Sequence, residues 1–106
     1  MEMSAVVASE GGTAINVSVA LSVLAGIAAG DAICVAATGE RYQGPDHAAA
    51  AVVLRRVDRR MGDTLRKLVV LKGPSHYGSE LLSAAQCEAA MRWAAVLVDE
   101  ATHRTS

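Results

Sequence analysis

Apolar and polar positions alternate along the chain in four blocks, each with helical rather than strand spacing. From Ala14 to Ala37 the sequence runs through Ile, Val, Ala, Leu, Ser and Gly, with Asp31 as its only charge. Thr13 stands where an N-cap belongs, so residues 1–12, which close on Glu10-Gly11-Gly12, read as a flexible tail ahead of one domain over residues 13–103. Gly39 is placed as the C′ stop of this first helix. Pro45 and Asp46 open a second helix with His47, Ala51, Leu54 and Val57 on one stripe and Arg55, Arg56, Arg59 and Arg60 off it. The pattern breaks at Met61-Gly62-Asp63, where Asp63 can cap a third helix that carries Leu65, Leu68 and Val69 toward Lys72. Gly73-Pro74 reads as its end. Ser83-Ala84-Ala85-Gln86 is a capping-box sequence, and the helix it opens sets Cys87, Ala90, Met91, Ala94, Leu97, Val98 and Ala101 on one face.

Four principal helices result, and composition supports them. Ala occurs 21 times in 106 residues and Phe never. Alanine is the best helix former, whereas strands favour β-branched and aromatic residues. The expected fold is an all-α, antiparallel bundle of four to five helices, with a core of short side chains that lets helix backbones approach closely. Gly26 and Gly30 form a small-xxx-small pair that marks such a crossing.

The first helix is long enough to span a bilayer. Its modest hydrophobicity, the charge at Asp31 and the lack of flanking Lys, Arg or aromatic belt favour a soluble bundle and no membrane partner. Cys34 and Cys87 lie among Ala, Val, Ile and Met, away from any second Cys or His at metal-ligand spacing. Both read as core thiols in a reducing cytoplasm, with no metal and no cofactor. The N-terminus carries no basic residue before Arg41, against the pattern of a secretory signal.

A net charge of −1 gives the whole chain no broad attraction for nucleic acid. The basic residues are unevenly spread, however. Seven of the ten Lys and Arg fall between Arg55 and Lys72, against Asp58 and Asp63. Arg55 with Arg59, and Arg56 with Arg60, are four apart and would share a helix face, which together with Lys67 makes one positive surface. Without stacking aromatics nearby except Tyr77, that surface suits an acidic protein better than RNA. Met91, Arg92 and Trp93 on the last helix are types enriched at interfaces, although a lone Trp in so small a core is more often buried.

The segment Leu71-Lys72-Gly73-Pro74-Ser75-His76-Tyr77-Gly78 remains to be placed. An amphipathic helix leads into it and a capped helix follows. Upstream stand a long Ala-rich helix ending in Gly-Asp-Ala-Ile-Cys, a Gly-Glu-Arg turn and Asp46-His47. In this order, over roughly residues 14–101, the chain resembles the HEPN domains, small prokaryotic helical bundles. Catalytic members are metal-independent endoribonucleases, with an Arg followed after four to six residues by a His. The His moves a proton at the ribose 2′-hydroxyl and the Arg steadies the phosphate. Two such domains usually pair.

His76 matches the family His, but Val69, Val70 and Leu71 occupy the positions for the Arg. The nearest cation is Lys72, a point charge rather than a bidentate fork. Some family toxins accept nucleotide on a Tyr two residues past the His, whereas Tyr77 is one past it. The resemblance therefore implies a non-catalytic protein: the antitoxin or regulatory half of a toxin–antitoxin pair, blocking the active site of a nucleotidyltransferase-like toxin. The partner-binding residues would be Arg55, Arg56, Arg59, Arg60, Lys67, Lys72, His76 and Tyr77. The alternative is an endoribonuclease toxin with a degenerate motif of Lys72 and His76. A third reading is a dimerisation module that pairs through the Ala/Gly-rich first helix around Gly26.

Overall fold

The computed structural model describes residues 2–40, 44, 46–76 and 83–105, with side chains at 14–40, 44, 46–71 and 83–105. These form four helices: α1 Glu2–Thr38, α2 His47–Val57, α3 Arg59–His76 and α4 Ala84–Thr105. The all-α class and the helical bundle expected from the sequence are what the chain adopts, with no strand among the described residues. Helix α1 is the hub and touches the other three. Helix α3 also packs against both α2 and α4, whereas α2 and α4 do not meet.

The core is made by Val19, Val23 and Ile33 of α1, Leu54 of α2, Leu65 and Leu68 of α3, and Leu97 of α4, each essentially closed to solvent. With no Phe to bridge gaps, the helices have to approach closely, and two glycines of α1 permit it. A Cβ on Gly26 would lie 2.7 Å from Leu68 Cδ1 and 3.2 Å from Leu97 Cδ1. One on Gly30 would lie 3.1 Å from Leu54 Cδ2 and 3.2 Å from Leu65 Cδ2. The small-xxx-small pair is therefore consumed inside the chain. Within the bundle the Gly26 face is occupied by Leu68 and Leu97 of the same chain.

Three helix ends follow the local signals. Gly39 leaves α1 with φ +81°, a left-handed backbone that glycine adopts without strain, and its N–H reaches the Val35 carbonyl at 2.8 Å. Asp46 caps α2, its carboxylate accepting from the N–H groups of Ala48 and Ala49. At α4 the capping box is closed in both directions, Gln86 N–H to Ser83 Oγ at 3.0 Å and Ser83 N–H to Gln86 Oε1 at 2.7 Å.

Several boundaries and faces differ from the sequence reading. Helix α1 starts at Glu2 rather than after a Thr13 cap, because residues 2–12 contain no proline and glycine costs a helix only about 1 kcal/mol per residue. The third helix is capped by Asp58, not Asp63. Asp58 sits extended between α2 and α3, gives its N–H to Leu54 O at 2.8 Å, and accepts from Met61 N–H on its carboxylate and from Gly62 N–H on its carbonyl. A single residue thus ends one helix and starts the next. Arg59 and Arg60 consequently belong to α3, so the expected face-sharing of Arg55 with Arg59 and of Arg56 with Arg60 on one helix does not exist.

Helix α3 also continues through Gly73-Pro74 to His76. A proline in the last turns of a helix costs it one backbone N–H. On α4 the buried stripe is Ala90, Ala94, Leu97 and Ala101, while Met91 and Val98 are exposed. Alanines let α4 seat so closely that the buried stripe narrows, and residues one step off it stay in water.

Candidate functional site

Helix α3 rises from the Asp58 joint with Arg59, Asp63 and Lys67 four apart, and Arg60 and Thr64 beside them. Across from this ridge, α4 presents Arg92, Trp93 and Val96. Between the two lies an open cleft of about 600 Å³ lined by these eight side chains. Around it stand four cations, Arg59, Arg60, Lys67 and Arg92, against one carboxylate, Asp63. That carboxylate is already engaged, because Arg55 Nε lies 3.1 Å from Asp63 Oδ1. Lys67 Nζ stands 5.8 Å from the centre of the Trp93 ring, within cation–π range. Trp93 is half-buried, packed against the core cluster on one side and lining the cleft on the other. A second hollow of about 630 Å³ adjoins the first through Asp63, Lys67 and Trp93, and adds Arg55, Arg66, Val70 and Leu71.

Chemically the arrangement suits an anion beside an apolar or aromatic group. The cations are solvated, so each contact is weak and salt-sensitive, and strength would come from several acting together. Among the described residues no three His, Cys, Asp or Glu side chains converge on a point where a metal ion could sit.

Of the residues expected from the sequence to bind a partner, Arg59, Arg60 and Lys67 are brought together on the cleft wall. Arg55 reaches the neighbouring hollow from α2. Arg56 is exposed on α2 and lines neither. Lys72 and His76 stand one turn apart in the last part of α3, with side chains outside the described residues, and Tyr77 lies outside them altogether. At the three positions where the HEPN resemblance would call for an arginine, Val70 is exposed and Val69 and Leu71 are half-buried. The positive surface is therefore not one helix flank but a wall shared by α3 and α4. Arg66 and Arg92 complete it, and nothing in the spacing of Arg92 announces its partnership with Lys67, 25 positions earlier. No protein-family model, curated protein or solved structure matches the chain.

Proposed function

We propose that this chain is a non-enzymatic binding protein, the antitoxin or regulatory half of a toxin–antitoxin pair, which neutralises a nucleotidyltransferase-like toxin by occluding its active site. The α3–α4 cleft carries this reading. Metal-binding transferase sites are built from carboxylates, and a wall of Arg59, Arg60, Lys67 and Arg92 around an accessible indole is complementary to such a surface. Trp93 would supply the desolvated anchor and the cations the registration, a division of labour common at interface centres. The bulk of the bundle behind the cleft would keep substrate out.

Co-expression of the chain with the product of the neighbouring gene tests this directly. A complex that survives purification and weakens steeply with salt is expected, together with relief of growth arrest. The variant Arg59→Glu/Lys67→Glu/Arg92→Glu is expected to lose both while keeping its helicity. If it neutralises the toxin as well as the parent chain, the cleft is not the contact.

One observation favours the endoribonuclease alternative. Because α3 runs on to His76, Lys72 and His76 are one helical turn apart rather than separated by a loop, a spacing that would suit a phosphate-steadying cation beside a proton-transferring imidazole. Under that reading, expression of this chain alone arrests growth and His76→Ala abolishes the arrest.

A further inference from the structure

The two hollows that meet at Trp93 differ in chemistry. The cleft is walled mainly by charge, whereas its neighbour of about 630 Å³ has a distinct apolar side. Asp63, Arg66, Lys67, Val70 and Leu71 line that neighbour from one face of α3, three and four residues apart. Charge is sorted along the face: the ionised side chains come first, and the apolar pair stands a turn nearer the end of the helix. Arg55 joins the charged end from α2, and Trp93 faces it from α4. Leu71 and Trp93 are packed against the core, which holds this wall in place, while Val70 is 62% exposed. The one carboxylate, Asp63, is paired with Arg55 at 3.1 Å, and its repulsion of an incoming anion is blunted accordingly.

We propose that this second hollow binds an alkyl carboxylate, with the carboxylate on Arg66 and Lys67 and the tail against Val70, Leu71 and Trp93. Its volume lies within the range of small-molecule sites, roughly 300–1,000 Å³, which combine apolar walls with a few charged or polar groups that orient the ligand. A ligand with several negative charges is better served next door, where Arg59, Arg60, Lys67 and Arg92 gather. A single charge with an apolar tail matches the sorted stripe instead. An aromatic tail would have to compete for the indole face with Lys67 Nζ, 5.8 Å from the ring centre. A flexible alkyl chain needs only the aliphatic surface, and covering Val70 removes that surface from water.

The hollow is open and its cations are solvated, so binding is expected to be reversible, at about millimolar strength. The site belongs to the isolated chain and does not depend on the partner proposed for the cleft. Because both hollows use Lys67 and Trp93, a ligand in one competes with an occupant of the other.

Trp93 is the single tryptophan of the chain, so its emission reports on this hollow. Titration of the full chain with sodium decanoate, at low ionic strength and below its micelle-forming concentration, is expected to change that emission saturably. Acetate carries the same headgroup and decyltrimethylammonium the same tail, and neither should reproduce the change at the same concentrations. Arg66→Glu and Val70→Glu, both at exposed positions that line this hollow and not the cleft, should each weaken decanoate binding by about fivefold or more. Leu24→Glu, at an exposed apolar site of α1 that lines neither hollow, should leave it unchanged. No saturable response, an equal response to acetate or to decyltrimethylammonium, unaltered binding by Arg66→Glu or Val70→Glu, or its loss in Leu24→Glu would each overturn the proposal.

Discussion

Gly62 lies so close against the backbone of Arg55 that a methyl group in place of its hydrogen would overlap the Arg55 Cα, N and Cβ. The sharp fold between α2 and α3 depends on this contact, since one residue, Asp58, joins them. In an ordinary helix Gly→Ala stabilises by about 1 kcal/mol. Here the backbone of α2 would have to retreat, an overpacking cost of about 1–3 kcal/mol or more. We expect Gly62→Ala to lower the thermal midpoint, by about 4–8 °C for each net kcal/mol in a domain of this size. A melting curve at or above that of the parent chain would show that the joint tolerates more space than its geometry implies.

The two glycines of α1 separate by the same logic. Gly26 faces Leu68 Cδ1 at a distance no real Cβ keeps, whereas Gly30 meets Leu54 and Leu65 at the tight edge of normal contact. Alanine at 30 asks only small shifts of two side-chain ends and gains helix propensity, so its unfolding free energy from urea titration is expected within about 0.5 kcal/mol of the parent. Alanine at 26 is expected to be the more destabilising of the two, and leucine at 26 to unfold the chain at moderate temperature. The reverse ranking would mean that α1 is not held against α3 as described.

Asp58 serves the joint through both its backbone and its carboxylate. Its backbone closes α2, its Oδ1 accepts from Met61 N–H, and its Oδ2 pairs with Arg104 Nη2 at 2.9 Å, where Glu100 also holds the guanidinium. Asn keeps an oxygen for the cap, so Asp58→Asn should cost little, whereas Asp58→Ala should cost about 1 kcal/mol from the lost cap. The Arg104 pair is solvent-facing and adds little to either. Equal losses for Asn and Ala in chemical denaturation would argue that charge, not capping, governs this residue.

The thiols should differ in reactivity. Burial, and secondarily the negative charge of Asp31, hold the Cys34 pKa above its ordinary value, and the side chain is 3% exposed. Cys87 is only half-buried. Iodoacetamide at mildly alkaline pH is therefore expected to label Cys87 first. Because the folded state keeps its Cys34 proton longer than the unfolded state, this residue's contribution to stability is complete below the ordinary thiol range, about pH 8.5, and is lost as pH rises through the raised folded value. Peptide mass analysis showing equal labelling rates would contradict the burial.

Where a signal is local, the sequence carried it. Asp46 precedes the N–H groups it accepts from by two and three residues, Ser83 and Gln86 bond each other across one turn, and Gly39 answers a single backbone angle. Such features are decided within a few residues, so alternation and capping chemistry suffice to find four helices and their core leucines. Asp63 failed as a cap for the opposite reason. It has the right chemistry, but Gly62 lets α3 fold back on α2, and that crossing hands the cap to Asp58 and leaves Asp63 for Arg55.

The same limit governs the surfaces. The basic run from Arg55 to Lys72 is plain in the sequence, yet which of its members share a wall was settled by the joint at Asp58 and by the seating of α4. Arg56 points elsewhere, while Arg92 and Trp93 join Lys67 from another helix. Likewise, the apolar character of α1 is written along its length, but only packing determines that the Gly26 side is spent on the core and the Leu21–Leu24 side left facing water. Helix formation is a property of neighbours along the chain. The cleft, and which faces of a helix stay open, are properties of helix crossings, which depend on steric contacts between residues far apart in sequence.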